Sequence, residues 1–502
     1  MIDLLPSRAD FTSAYNAKRP QVLWTELPAD VDTPVGVMLK FGQERPFTAL
    51  MESVQGGATR GRYSFVALSP DLLWRCKGQQ AEICRDVHAK TLTYTADDKK
   101  TLASLRALMA ASRIALPDHL PPMAAGLIGY MGYDTIRLAE NIPDENPDKL
   151  GIPDGMFMRP TVTIIFDNAK DVMTVVAAVY PQDGVTANAA YETAQARIFE
   201  VVATLEKPIP RNLPATNARF EDATSNIGRE GYHQMVDKAK EYILAGDIFQ
   251  VVPSQRLRVP FTLPSFTLYR ALRRLNPSPF LFHLNFAGFS LVGSSPEILV
   301  RLRQGVVTIR PIAGTRKRGA NKAEDDALAK DLLSDPKEIA EHLMLLDLGR
   351  NDVGRVCTPG SVRVTEQMVI EYYSHVMHIV SNVEGEIDPK YDAMDALMAG
   401  FPAGTVSGAP KIRAMEIIDE LENERRGFYG GAIGYLSANG EMDTCIALRT
   451  ALVKDGQVVI QAGGGVVADS DPEAEYQESN NKARALVRAA EEAIKFFAGG
   501  NR

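Results

Sequence analysis

FSLVGSSPEILVRLRQGVVTIR, residues 289–310, sets short β-branched runs apart by Gly293-Ser294 and Gln304-Gly305. Such runs between turn-forming pairs predict an antiparallel meander. A second meander is predicted over 429–467, where Asn439-Gly440 and Asp455-Gly456 supply the positive backbone angles that tight hairpins need. Between them, 335–349 and 390–399 carry helical spacing. Upstream, 62–68 (RYSFVAL) and 161–166 (TVTIIF) read as strands and 190–206 as a helix. Residues 206–228, EKPIPRNLPATNARFEDATSNIG, hold three prolines and almost no apolar periodicity, so a linker is placed there, between a domain at 1–205 and one at 229–498. Segments 126–131 (GLIGYM) and 431–436 (GAIGYL) echo each other. Either a short apolar motif has recurred, or the two halves contribute equivalent strands to one layered structure.

The 502 residues exceed what one hydrophobic core usually supports. An apolar fraction of 45% and a charged fraction of 24% describe an ordinary globular protein. A formal charge of −8 without long charged runs disfavours nucleic acid and anionic lipid, because binding to either begins with phosphate neutralisation. An anionic small substrate then needs cations gathered locally. Cys76, Cys84, Cys357 and Cys445 form no CxxC pair or disulfide framework, which fits a reducing cytoplasm. The sequence opens Met-Ile-Asp-Leu-Leu-Pro with no basic and apolar leader, and no run of eighteen apolar residues follows, so neither secretion nor membrane spanning is expected.

Two helices carry carboxylates. Asp335-Pro336-Lys337-Glu338 is a capping-box pattern, so Glu338 either reaches back to the cap amide or serves as a ligand. Glu341 has no capping role to explain it. On 474–497, Glu475, Glu478 and Lys482 share a face. Taken alone, that face is an ordinary solvated ion pair. If the two helices converge, Glu341 and Glu478 offer oxygens to a hard divalent ion, and magnesium is expected, since neither zinc spacing nor an EF-hand loop is present.

From 246 to 482 the chain carries, in order, GDIFQVVPSQR, GSSPEILVR, RPIAGTR, DPKEIAEHLMLLDLGRND, FPAGTVSGAPK, GFYGGAIGY, CIALRT, AGGGVVADS and YQESNNK. These nine blocks resemble the chorismate-utilising enzyme family, and with LMESVQGGATRGRYSF at 50–65 the resemblance is strongest to its anthranilate-forming large subunits. It implies two interleaved α/β domains built on a large antiparallel β-sandwich with outer helices. It also implies a magnesium-dependent addition of ammonia to chorismate, followed by loss of pyruvate. Ala313 stands where relatives making aminodeoxychorismate carry a nucleophilic lysine, and a methyl group cannot attack anything. Gln250 stands where water-adding relatives carry a lysine base; ammonia needs none.

The resemblance carries roles residue by residue. Glu297 is placed to protonate the departing hydroxyl, although by itself it reads as a capping or surface carboxylate. His378, by alternation a core histidine, is placed beside the enolpyruvyl group. Thr405 falls among the catalytic positions. Gly314, Thr315, Tyr429, Arg449, Gly463, Gly464, Gly465 and Lys482 fall among the substrate contacts, Arg449 because its fork suits a carboxylate. Glu341 and Glu478 are implied as metal ligands, with Glu338 and Glu475 beside them. Glu52, Ser53 and Asn276-Pro277-Ser278-Pro279-Phe280 match a tryptophan-sensing pocket that confers feedback inhibition. No glutaminase elbow of the GxCxGxQ kind occurs, so a separate glutamine amidotransferase subunit is the implied ammonia source. An aminodeoxychorismate synthase and a non-catalytic tryptophan-binding relative are the alternatives.

Overall fold

The architecture is taken from a computed structural model that describes residues 2–55, 59–210, 219–373 and 376–498. Two long strands organise it. Tyr63–Lys77 and Gly155–Asp167 run antiparallel, with one register slip between Pro70 and Leu72, where Pro70 faces Pro160. Proline has no amide to donate, so the ladder breaks there and the ribbon bends.

On one side of the bend the ladder continues from Tyr63–Lys77 through Thr48–Glu52, Phe280–Asn285, Ser290–Ser295, Thr450–Lys454, Gln457–Gly463 and Ser254–Pro260. On the other it continues from Gly155–Asp167 through Gly126–Met131, Ala432–Ser437, Met442–Ile446, Ile298–Arg303, Val306–Ile309 and Val376–Glu386. All these pairings are antiparallel. The two limbs close on a shared core that includes Phe65, Phe282 and Leu452 from one and Tyr130, Ile433 and Cys445 from the other. Helices Ala187–Leu205, Ser265–Leu275 and Pro472–Ala498 cover the first limb, and Thr101–Ala111, Pro336–Gly354 and Ala393–Gly400 the second. This is the expected sandwich with outer helices, and both limbs draw strands from before and after the proline-rich stretch. Of that stretch, 211–218 lie outside the described residues, while Thr224–Ser225 already pairs with Leu257 and Arg258 at a sheet edge.

The two predicted meanders need correction. Ser290–Ser295 lies in one limb beside Thr450–Lys454, and Ile298–Arg303 lies in the other beside Met442–Ile446. The chain therefore crosses between limbs twice, at Pro296-Glu297 and at Ala447-Leu448-Arg449. Gly293-Ser294 is not a turn either. A Cβ on Gly293 would lie 2.1 Å from the Phe282 ring, so a cross-strand aromatic requires glycine within the strand. Gln304-Gly305 and Asp455-Gly456 do turn, with φ of 50° and 77° and of 50° and 73°; at Asn439-Gly440 only Gly440 is positive, at 94°.

The echoing segments lie side by side, with Gly129 opposite Gly434. A Cβ would come within 2.0 Å of the Met156 carbonyl at Gly129 and 2.1 Å of the Asp443 carbonyl at Gly434. These contacts are with backbone, which cannot step aside. Gly434→Ala is expected to lower stability by about 1–3 kcal/mol through overpacking, read as a shift of the denaturation midpoint; an unchanged midpoint contradicts the packing argument.

Candidate active site

Both crossings deliver a functional group. Glu297 is buried, and its Oε1 accepts from Thr405 Oγ1 at 2.9 Å. Burial pushes its carboxyl up to about 8, against the opposing pull of Thr405, the Ile312 amide and the Arg449 charge. It is therefore mostly protonated at neutral pH. Arg449, at the other crossing, has a left-handed backbone (φ 47°), and its carbonyl accepts from Ser294 N at 3.0 Å. Burial lowers its guanidinium pKa, while Tyr373 and Glu297 hold it up. Among the described residues Arg449 makes no ion pair within 4 Å. A sunken, unpaired fork of donors suits an anion.

His378 lies on Val376–Glu386, cross-strand from Thr315. Its Nδ1 is 3.0 Å from the Gly314 carbonyl and 3.1 Å from Thr315 Oγ1. A carbonyl only accepts, so Nδ1 carries the proton and Nε2 the lone pair. Burial pushes the imidazole down to about 4, which keeps it neutral at pH 7 with the Nε2 lone pair free. Gly314, at φ 71°, takes the left-handed turn that presents this carbonyl. Tyr429 is buried with its hydroxyl against the Gly463 amide.

The carboxylates gather beside this cluster. Asp335 accepts from Lys337 N and Glu338 N at 3.0 and 3.4 Å, as an N-cap should. The reciprocal arm of the capping box does not form: Glu338 Oε1 instead accepts from Arg316 Nη1 at 3.1 Å. Glu341 Oε1 accepts from Gln250 Nε2 at 3.4 Å. Burial raises the Glu341 pKa, the charges of Glu338 and Glu478 add to the rise, and Lys482 opposes it. The Glu341 carboxyl thus feels the charges of Glu338, Glu478 and Lys482, while the half-exposed Glu478 Oε1 is paired with Lys482 Nζ at 2.8 Å and Lys482 Nζ also donates to the Gly463 carbonyl at 3.1 Å. Glu475 Oε1 accepts from Ser470 Oγ at 2.7 Å, whereas its buried Oε2 has no hydrogen-bond partner among the described residues. The glycine run is close-fitting: a Cβ on Gly464 would sit 2.6 Å from Glu475 Oε2, and one on Gly465 2.5 Å from Gln250 Nε2.

An orphaned carboxylate oxygen among mutually repelling carboxylates fits a hard cation. Among the described residues no three His, Cys, Asp or Glu side chains form a ready-made cage. The fit is to magnesium held by one or two protein carboxylates, with water and a ligand completing the shell.

The regulatory candidates also meet. Thr48–Glu52 pairs with Phe280–Asn285, placing Glu52 opposite Leu281, and Val54 N donates to the Ser278 carbonyl at 3.2 Å. Asn276 Nδ2 donates to Ser294 Oγ at 3.3 Å, and Pro277 follows it in the same loop. A cavity of about 730 Å³ opens here, lined in part by Met51, Ser53, Pro279 and Phe280. Glu52 also borders it, but its carboxylate is engaged by Arg273 Nε and Nη2 at 2.6 and 2.9 Å and by the Tyr269 hydroxyl. Gly56, Gly57 and Ala58 of the sensing block lie outside the described residues. Tyr373, Glu371 and Arg310 line this cavity, and the Tyr373 ring meets His378; Glu371 and Tyr373 belong to no motif quoted above, and a tyrosine within EYY carries no spacing signal of its own.

Residues 69–488 match the family described as chorismate binding enzyme, and the chain belongs to that family. Within it, the chain is similar to anthranilate synthase component 1 of Cereibacter sphaeroides, with 58% identity over 494 residues, covering 98% of this chain and 99% of the relative. The same-named protein of Aquifex aeolicus is 46% identical over 471 residues, covering 93% of this chain and 94% of its own. Among solved structures, anthranilate synthase component I of Streptococcus pneumoniae matches with a TM-score of 0.75 and 39% identity, over 85% of this chain and 92% of that one. The menaquinone-specific isochorismate synthase of Escherichia coli, at 20% identity, shares the fold with a TM-score of 0.71, over 96% of this chain and 99% of its own.

Among the described residues no helix is long and apolar enough to cross a membrane.

Proposed function

We propose that this chain adds ammonia to chorismate and eliminates pyruvate to give anthranilate, the opening step of tryptophan biosynthesis. One observation supports it above the rest: a protonated carboxyl on Glu297, a neutral imidazole on His378 and a guanidinium on Arg449 that has no ion pair among the described residues share one cluster beside a group of carboxylates. In the first stage ammonia bonds to the ring, the ring double bonds shift, and the hydroxyl leaves as water with the proton from Glu297. Thr405 orients that carboxyl through the Oε1 it bonds. In the second stage a ring proton is removed, the bond to the enolpyruvyl oxygen breaks and pyruvate departs, with His378 Nε2 as the free base nearest this chemistry. Arg449 and Tyr429 hold the enolpyruvyl carboxylate, and Gly314, Thr315, Gly463, Gly464 and Gly465 line the ring with amides and a hydroxyl. Lys482 adds positive charge. Glu341 and Glu478, with Glu338 and Glu475 beside them, are the residues to hold magnesium, which when bound supplies Lewis-acid stabilisation of charge on the ring carboxylate.

Ala313 on Ile312–Lys317 leaves no nucleophile for the aminodeoxychorismate route. The ammonia comes from a separate glutamine amidotransferase subunit, and tryptophan at Glu52, Ser53 and Asn276, Pro277, Ser278, Pro279 and Phe280 inhibits. The four cysteines are buried and unpaired, which suits a reducing cytoplasm. Purified chain mixed with chorismate, magnesium and ammonium is expected to generate anthranilate fluorescence, and glutamine in place of ammonium to generate none. Glutamine-dependent turnover by the single chain contradicts the division of labour, and aminodeoxychorismate or isochorismate as the product contradicts the function.

A further inference from the structure

Tyr373 stands between the two functional regions. Its ring meets the His378 imidazole edge-on, with centroids 5.4 Å apart and planes at 65°. The same side chain lines the 730 Å³ cavity, together with Pro296, Ile312, Glu371 and Arg310. Its hydroxyl donates to Glu371 Oε2 at 2.9 Å, and Glu371 Oε1 accepts from Arg310 Nη2. The backbone is tied as well: Tyr373 N donates to the Val376 carbonyl at 2.8 Å, and Arg318 Nη1 donates to the Tyr373 carbonyl at 2.7 Å. The neighbouring wall is coupled to the acid, since Pro296 precedes Glu297 and the Ile312 amide bonds the Glu297 carboxyl.

We infer that Tyr373 is a two-faced positioning residue: one face sets the His378 imidazole, and the other, through the chain Arg310–Glu371–Tyr373, reports what occupies the cavity. The inference rests on the reading of the cavity as the tryptophan site and of His378 as a participant in elimination. An amino acid carries an ammonium and a carboxylate, and the cavity wall offers partners for both in Glu371 and Arg310. A ligand that draws either group away releases the Tyr373 hydroxyl. The ring then loses its anchor, and the imidazole loses the surface that holds it against Gly314 and Thr315. Substrate binding, which needs the imidazole in place, opposes the ligand in return by linkage.

The test uses the full chain with ammonium as nitrogen source. Wild type must first form anthranilate and be inhibited by tryptophan; failure there overturns the proposed function and is seen before any variant is made. In Tyr373→Phe, which keeps the ring and loses the anchor, kcat is expected to fall by about fivefold or more while the chorismate KM stays within about threefold, and the half-inhibiting tryptophan concentration to rise by about fivefold or more. Glu371→Ala, which keeps the tyrosine and removes its acceptor, is expected to reproduce both changes, with the double variant no worse than either single one. Thermal midpoints follow folding. Wild-type kcat and inhibition in Tyr373→Phe, effects that multiply in the double variant, or a loss of stability with inhibition unchanged would each overturn the inference.

Discussion

Replacing Glu297 with glutamine is expected to lower kcat for anthranilate formation by about 10²- to 10⁴-fold, the usual contribution of a positioned general acid, with the chorismate KM little changed. Glutamine keeps the shape and the Thr405 contact but has no proton to give a leaving hydroxyl. The pH profile carries a second signature. Burial raises the Glu297 pKa from 4.5 to about 8, so the acid is loaded below that value and lost as pH rises through it. At constant free ammonia, kcat in the wild type should therefore fall on the alkaline side near pH 8, and this limb should vanish in the variant. The same shift acts on stability. The folded state holds the proton more tightly than the unfolded chain, so the contribution of Glu297 is fully present below pH 4.5 and is lost as pH rises through about 8. Glu297→Gln should flatten that slope. An active variant with an unchanged alkaline limb contradicts the assignment.

Arg449→Met should cost about 2–5 kcal/mol in kcat/KM, roughly 30- to 4,000-fold, because it leaves a substrate carboxylate desolvated without its partner. Arg449→Lys should restore little, since one ammonium cannot present two parallel donors. The left-handed backbone at Arg449 is shared by the side chains being compared, so a folding defect would appear in both variants and in their thermal midpoints. Chorismate bound by Arg449→Met with wild-type affinity contradicts the role.

Much of this architecture is legible in the residues. The Gln304-Gly305 and Asp455-Gly456 turns follow from local backbone chemistry, and the helix Pro472–Ala498 from its spacing. Limb membership does not. Strand periodicity is the same in either limb, so nothing local distinguishes a meander from a chain that crosses over at Pro296-Glu297. Gly293 misleads for the same reason: its glycine answers the Phe282 ring on the neighbouring strand, which the local sequence does not reveal. The capping box at Asp335 is half formed because Arg316, on the strand Ile312–Lys317, competes for Glu338. Glu297, His378 and Arg449 stand out through motif resemblance, whereas Glu371 and Tyr373 acquire meaning only when the strand Arg363–Tyr372 pairs with Val376–Glu386 and sets Glu371 opposite His378, with Arg310 bonded to Glu371.

In the proposed function the Glu341 and Glu478 carboxylates and the Arg449 guanidinium serve a single bound chorismate. Calorimetric titration of chorismate into the Glu297→Gln chain, without ammonia and with or without magnesium, tests it directly. Magnesium should tighten binding by about tenfold or more, and adding Glu341→Gln should abolish that gain. Binding that ignores magnesium, or a Glu341→Gln chain that still responds to it in full, would contradict the account.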